Sequence, residues 1–417
     1  MPRHALGVRG FGQILGRHRS EASPFRSGRA GRHAAASLMP TSSNSLGWRP
    51  THRLLAKRGL IIDAILLVGG KGTRLRPLTL TAPKPMLPTA GVPFLTHQLA
   101  RAREAGIDHV VLATSYRAET FEAHFGDGSS LGLELEYVTE EEPMGTGGGI
   151  RNVADRLRAK PDEPVVIFNG DVLSGHDIAA QIAMHEERGA AVTLHLTAVD
   201  DPRAFGCVPI DGDGRVTAFL EKTPDPVSNL INAGCYVFRR EVIDTIPHGV
   251  PVSVERETFP QMLESGALVL GYVDTAYWLD LGTPAAFVQG SADLVRGRAP
   301  SPALPGPIGE VLVLPNARVA ASATVTGGSC VGPGAEIGER ALVDGSVVFE
   351  GAVIEDDARV RASIVGRGAR VGVGAVLDGA VIGDGADIGE HNELLAGVRI
   401  WPDVVLAPGA VRFSSDE

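Results

Sequence analysis

The sequence predicts an α/β chain, built on a doubly wound and mostly parallel sheet, followed by a solenoid of short β-coils. Three observations carry the prediction. A short apolar run at 65–68 stops at Gly69-Gly70, as a strand covered on both faces does when it meets a loop. Strand-like and helix-like segments then alternate from 60 to about 295. Beyond 308, aliphatic residues recur in steps of five and six.

The stretch at 64–87, AILLVGGKGTRLRPLTLTAPKPML, organises the rest. Leu67 closes the expected strand, and in open α/β sheets ligands collect at the carboxyl ends of strands. Gly69, Gly70 and Gly72, followed by Thr73, let backbone N–H groups close on a phosphate or a base. Lys71, Arg74, Arg76 and Lys84 add cationic donors for several phosphoryl oxygens. A nucleoside triphosphate site is the expectation. The stretch contains neither G-x-x-x-x-G-K-[ST] nor G-x-G-x-x-G.

The remaining elements follow in order. A helix is expected at 94–105 and strands at 109–114, 133–138 and 164–171. The run 142–149, EPMGTGGG, is expected as a loop that feeds a helix at 150–159. A helix at 178–189 ends on Gly189, which suits a helix terminus. Strands are expected at 191–199 and 232–238, a hairpin around Asp211-Gly212-Asp213-Gly214, and a helix at 254–266. The Pro/Gly-rich segment 298–308 reads as a linker between a domain at 59–297 and the solenoid at 309–417. In the solenoid, Val325, Val331, Ile337, Val343, Val348, Ile354, Val360, Val365, Val371, Leu377, Ile382, Ile388 and Leu394 stay in phase, which is the mark of hexapeptide coils with inward aliphatics.

Charge and cysteine content exclude several classes. Net charge is −10, but residues 1–60 carry +10 and the remainder −20, so the body is too acidic for general nucleic-acid binding. The basic segment 1–58 admits three readings: a transit peptide, a nucleic-acid arm, or a disordered extension from a start codon set too far upstream. The last is favoured, because the first strand needs nothing before 59. Cys207, Cys235 and Cys330 have no CxxC spacing, so neither zinc nor a disulfide framework is expected and a cytoplasmic setting fits. The longest apolar run, 60–68, is interrupted by Asp63, so no membrane span is expected.

Several clusters could carry chemistry. Asp171, in Asn169-Gly170-Asp171, ends a strand and could hold Mg²⁺ against triphosphate oxygens, or cap the next helix. Asp280, before Leu281-Gly282-Thr283-Pro284, could be a second ligand or a plain loop residue. Glu221-Lys222 could be a solvated strand edge. His391 stands alone in the repeats without a partner, so acyl transfer is disfavoured.

The stretch GGKGTRLRPLT…PKPM resembles the signature of the sugar-nucleotide pyrophosphorylases, a nucleotidyltransferase family. The repeats resemble the left-handed β-helix domains of some of its members. Within the family, LVGGKGTRLRPLTLTAPKPM, TSYR, EEPMGTGGG, FNGDVL and INAGCYVF look most like mannose-1-phosphate guanylyltransferases. The resemblance implies GTP and mannose 1-phosphate as substrates, Mg²⁺ as cofactor, and in-line attack on the α-phosphate. It implies catalytic roles for Arg74, Lys84, Asp171 and Lys222, with Asp171 and Asp280 as metal ligands. Leu67, Gly69, Gly70, Gly72, Thr73, Gly145, Thr146 and Gly147 would contact the nucleotide, and Gly206, Glu221 and Asn232 the sugar. Two alternatives stand beside this: a uridylyl-, thymidylyl- or adenylyltransferase acting on glucose 1-phosphate, and a non-catalytic subunit that senses nucleotide sugars. The solenoid's open coil edges need a partner or cap, so a role in assembly or regulation is expected, with a homo-oligomer as the expected partner state.

Overall fold

The computed structural model describes residues 62–412 apart from 221 and 223. The basic extension expected at 1–58 therefore lies outside the described residues, as does Glu221. The first part of the chain runs β1 (Asp63–Leu67), β2 (Pro88–Thr89), β3 (Val92–Pro93), α1 (Phe94–Glu104), β4 (His109–Thr114), α2 (Glu119–Phe125), β5 (Glu134–Thr139), α3 (Gly145–Asn152), β6 (Pro164–Asn169), β7 (Val172–Ser174), α4 (Ile178–Arg188), β8 (Val192–Ala198), β9 (Leu230–Arg239), α5 (Arg240–Asp244), α6 (Phe259–Glu264), β10 (Val269–Val273), β11 (Trp278–Asp280) and α7 (Pro284–Val295).

Seven strands form one sheet in the order β10-β8-β9-β6-β1-β4-β5. The pairings are parallel except those of β9, which runs antiparallel to β6 and β8. The apolar run in β1 has a direct cause: both faces are covered. Leu66 packs with Leu95 and Leu99 of α1 on one face, while Ile65 meets Ile150 of α3 and Ile167 of β6 on the other. Asp63 opens this buried strand and is fully buried itself. One carboxylate oxygen lies 2.8 Å from His109 Nδ1, and the other accepts the Ala159 N–H at 2.7 Å, so the charge is not stranded.

Three local expectations change. The glycines at 145–149 are not a loop before a helix; they are the first turns of α3, which ends at Asn152 and is followed by a 3-10 turn at Ala154–Arg156. The expected helix at 254–266 divides into a π-helical turn, Val254–Thr258, and α6. Pro260 sits just after the change of register and has no N–H to give a regular ladder. The expected hairpin at 211–214 does turn, with Asp211 N–H donating to the Arg215 carbonyl at 2.9 Å. Its arms meet only in isolated bridges, Cys207 with Leu220 and Ile210 with Val216, so no strands form.

The solenoid stacks three parallel sheets of six, six and five strands. Pairs such as Val331 with Val348, Ile337 with Ile354 and Val343 with Val360 lie one coil apart, which a cycle of six, six and five residues produces. The in-phase aliphatics from Val331 to Leu394 are all buried, and Val325 at the open end is partly so. This is the arrangement of a left-handed β-helix. Ser329, Ser346 and Ser363 form a buried ladder, each hydroxyl accepting the backbone N–H one coil further on at 3.0–3.1 Å.

The solenoid lies directly on the α/β part. Cys330, Val347, Phe349, Ile364 and Val381 share a core with Leu75, Leu78, Ala82 and Leu87, and with Phe287 and Val288 of α7. The Pro/Gly segment between them is pinned: Ile308 N–H donates to Val295 O at 3.0 Å, and Ser301 Oγ lies 2.7 Å from His97 Nδ1. Among the described residues no helix is long and apolar enough to cross a membrane.

Five histidines are buried in the α/β part. Against the opposing pull of burial, the Asp63 carboxylate raises the His109 pKa, whereas burial pushes those of the other four down. His97, His185 and His195 fall from 6.5 to about 4, and His176, stacked on His195 at 3.8 Å, falls well below 6.5. The unfolded chain therefore binds more protons than the folded one between these values and 6.5, and stability drops as pH falls through that window. Each of these four histidines contributes about 1.4 kcal/mol per pH unit. Urea midpoints measured at pH 7 and pH 5 should show the drop, and His195→Gln should flatten the slope by about one proton. An unchanged slope in that variant would contradict the assignment.

Candidate active site

The carboxyl ends of β1, β4, β5 and β6 open into a cleft of about 520 Å³. Leu67, Gly69, Gly70, Gly72, Thr73 and Arg74 form one wall, Gly145 and Thr146 another, and Lys84 and Asp171 the floor. These nucleotide-side residues, chosen from sequence, are thus brought together. Gly147 is not: it lies behind the wall, with its N–H given to Val252 O at 2.8 Å. Gly145, at φ +70°, is the glycine the wall cannot replace, since a Cβ there would sit 2.6 Å from Val252 O. Gly170 is held as tightly: a Cβ would lie 2.5 Å from Leu67 O.

The two aspartates meet because of strand register. The short β7 pairs antiparallel with β11, placing Asp280 opposite Val172. Leu281 N–H then donates to Asp171 O at 3.0 Å. Lys84 Nζ stands between the two carboxylates, 3.1 Å from Asp171 Oδ2 and 3.8 Å from Asp280 Oδ1. Arg74 Nη2 lies 3.9 Å from Asp280 Oδ2 with its side chain mostly exposed. Burial, and then the neighbouring Asp171 charge, raise the Asp280 pKa against the opposing pull of Lys84 and Arg74. Asp280 Oδ1 is buried with no hydrogen-bond donor. Two carboxylates, one with a buried oxygen that receives no hydrogen bond, fit a hard divalent cation, which completes its shell with water and substrate phosphates rather than with further side chains. Among the described residues no cluster of three or more His, Cys, Asp or Glu competes for it.

The sugar-side residues gather around Trp278. Its Nε1–H donates to Ala233 O at 3.0 Å, beside Asn232, and its ring meets Phe205 edge-on at 5.6 Å, beside Gly206. Lys222 is exposed, two residues beyond Leu220, whose N–H and carbonyl pair with Cys207 at 3.0 Å. That bridge holds Leu220 alongside Cys207.

Three residues of the site escaped sequence reasoning. Glu140, just past β5, faces the cleft, and burial raises its pKa. The glycine at 149 leaves it room, since a Cβ there would lie 2.7 Å from Glu140 Oε1. Glu255 and Tyr236 join the two halves of the site. Glu255 accepts from Thr146 Oγ1 at 3.1 Å and from the Tyr236 hydroxyl at 3.3 Å, and that hydroxyl accepts from Asn232 Nδ2 at 2.9 Å. Glu140 is the first of three glutamates before Pro143, and nothing in the local pattern singles out Glu140, Glu255 or Tyr236.

A glycine-walled cleft at the carboxyl edge of a parallel sheet, with paired aspartates under two cations, defines a class: a protein that moves phosphoryl-linked groups of a nucleotide. The chain belongs to the nucleotidyl transferase family, whose model matches residues 63–297, and a model described as the GMPPB C-terminal domain matches 307–410. A mannose-1-phosphate guanylyltransferase of Mycobacterium tuberculosis is 60% identical over 356 residues, 85% of this chain and 98% of that protein. A mannose-1-phosphate guanylyltransferase catalytic subunit beta of Danio rerio is 37% identical over 270 residues, 63% of this chain and 74% of that protein. A solved structure described as a glucose-1-phosphate thymidylyltransferase of Bacillus anthracis shares the α/β fold, with a TM-score of 0.51 at 22% identity over 55% of this chain and 94% of its own.

Tyr236→Phe tests the network. It removes the hydroxyl that serves Glu255 and Asn232 in a buried place, and should cost about 1–3 kcal/mol in chemical denaturation. An unshifted midpoint would show that the hydroxyl is not structural.

Proposed function

We propose that the chain transfers a guanylyl group from GTP to mannose 1-phosphate, giving GDP-mannose and pyrophosphate. The observation that carries the chemistry is Lys84 Nζ set between the Asp171 and Asp280 carboxylates. The choice of base and sugar is supported by the 60% identical relative and by Glu140. Guanine presents N1–H and an amino group side by side, and an ionised carboxylate accepts from both. The cleft's own glycines keep Glu140 close to the base.

A phosphate oxygen of mannose 1-phosphate attacks the α-phosphorus in line. The α–β bridging P–O bond breaks, and pyrophosphate leaves with the electron pair. No side chain forms a covalent bond, so the chain's work is positioning and charge neutralisation. Arg74 holds the β- and γ-phosphates. Lys84 bridges the α-phosphate and the incoming sugar phosphate, and Lys222 holds the sugar phosphate from the other side. Asn232 and Glu221 pair with sugar hydroxyls. Asp171 and Asp280 would hold Mg²⁺, which supplies charge neutralisation at the phosphates when bound.

Pyrophosphate release measured with four nucleoside triphosphates against mannose and glucose 1-phosphate should be largely confined to GTP with mannose 1-phosphate. A preference for another pair would overturn the substrate assignment, and silence with all pairs would overturn the activity. Asp171→Ala should abolish turnover, and near-normal turnover would remove the aspartate from the metal site. Glu140→Gln should raise the KM for GTP about 10- to 100-fold, the worth of hydrogen bonds to a charged group. Because burial raises the Glu140 pKa, the wild-type KM for GTP should also rise at acid pH, and the variant should lose that rise.

A further inference from the structure

The segment 75–82, between the two cations of the site, does not pack on the sheet that carries the cleft. Leu75, Leu78 and Ala82 are buried in the core shared with solenoid residues Cys330, Phe349 and Val381. Polar contacts fasten both ends of the segment to the same solenoid face. Thr81 Oγ1 donates to Asp384 Oδ2 at 2.7 Å, and Arg399 Nη1 donates to Arg76 O at 2.9 Å. Asp384 is itself positioned, since its Oδ1 accepts the Arg367 N–H at 2.8 Å. From the α/β side, Arg117 donates to Thr81 O at 2.9 Å and Leu80 O at 3.0 Å. Arg74 lies two residues before one tie, and Lys84 three residues after the other.

We infer that the solenoid is a positioning element of the active site: Asp384 and Arg399 clamp the 76–81 segment and so set where Arg74 and Lys84 meet the phosphates. The inference rests on the roles proposed above for those two cations. A 3-10 turn at Thr73–Leu75 and another at Lys84–Met86 present the cations, and neither turn belongs to a helix or strand of the sheet. Their placement therefore depends on what holds the segment between them. In-line phosphoryl chemistry is sensitive to such placement, and a misplacement of about 1 Å costs on the order of 100-fold in rate. Among the described residues the solenoid contributes no group to the cleft, so Asp384, Arg399 and Thr81 are positioning residues, not catalytic ones.

The test uses the full chain. Thr81→Val with Arg399→Met removes both donors while keeping side-chain volume. It should lower kcat about 10-fold and leave the KM for GTP within about twofold, because the base and ribose side of the cleft is untouched. Thr81→Ser with Arg399→Lys keeps both donors and should restore kcat to near wild type. Arg340→Ala breaks the Arg340–Asp357 pair, which lies wholly within the solenoid, and should leave kcat unchanged. Wild-type kcat in the first double variant would overturn the inference. So would an equal loss in Arg340→Ala, which would show solenoid destabilisation and not positioning. Lys84→Met in the same assay separates the two readings. If it turns over normally, the proposed chemistry fails. If it is inactive while the clamp variant is normal, only the positioning role fails.

Discussion

One ammonium group between two carboxylates organises this molecule. Without Lys84, Asp171 and Asp280 would face each other across a half-buried gap, and like charges so placed repel strongly. With Lys84 in place, its ammonium lies between the two carboxylates and offsets part of that repulsion. The folding requirements follow from this. Asp171 must sit in the turn between β6 and β7, Asp280 must arrive antiparallel on β11, and Lys84 must reach in from a segment that belongs to neither. The β7–β11 pairing satisfies the first two conditions with six residues.

The third condition involves the solenoid. A glycine-rich loop is free to approach phosphate but poor at holding a fixed shape, because it buries few side chains. Here the loop is followed by Leu75, Leu78 and Leu87, each fully or nearly fully buried, and their packing partners come largely from the β-helix and α7. Close packing transmits position because it leaves little slack. The regular coil spacing matters in turn, since it sets Cys330, Val347, Ile364 and Val381 as a flat row beneath the loop.

Patterns with a local physical cause were readable from sequence. The hexapeptide aliphatics are one: each step places a side chain inward, so periodicity alone marks Val331 through Leu394 as core. The apolar run of β1 and the Gly189 helix terminus are others, the latter seen at φ +59°. What was not readable depended on partners distant in the chain. The run of glycines at 145–149 reads as a loop, yet forms a helix because Val252 presses against it and accepts its N–H groups. Pro260 shifts the ladder of the preceding turn. Glu140, Tyr236 and Glu255 carry no motif, and their meaning comes from being folded against Gly149, Asn232 and Thr146. The ties from Asp384 and Arg399 to the loop span more than 300 residues of chain.

The same contrast explains the cations. Lys84 and Arg74 stand out in the sequence as cationic donors beside the glycines, and the family resemblance implies their roles, but neither says how they are held. The geometry supplies that: buried leucines below, Arg117 to one side and the solenoid to the other.

The measurement that tests the central claim most directly is a crystal structure with Mn²⁺ and a non-hydrolysable GTP analogue, read by anomalous scattering. The account predicts a manganese peak within bonding distance of both Asp171 and Asp280, with Lys84 no longer paired to Asp171 and turned to phosphate. A peak that touches neither aspartate, with the Lys84–Asp171 contact intact, would contradict it.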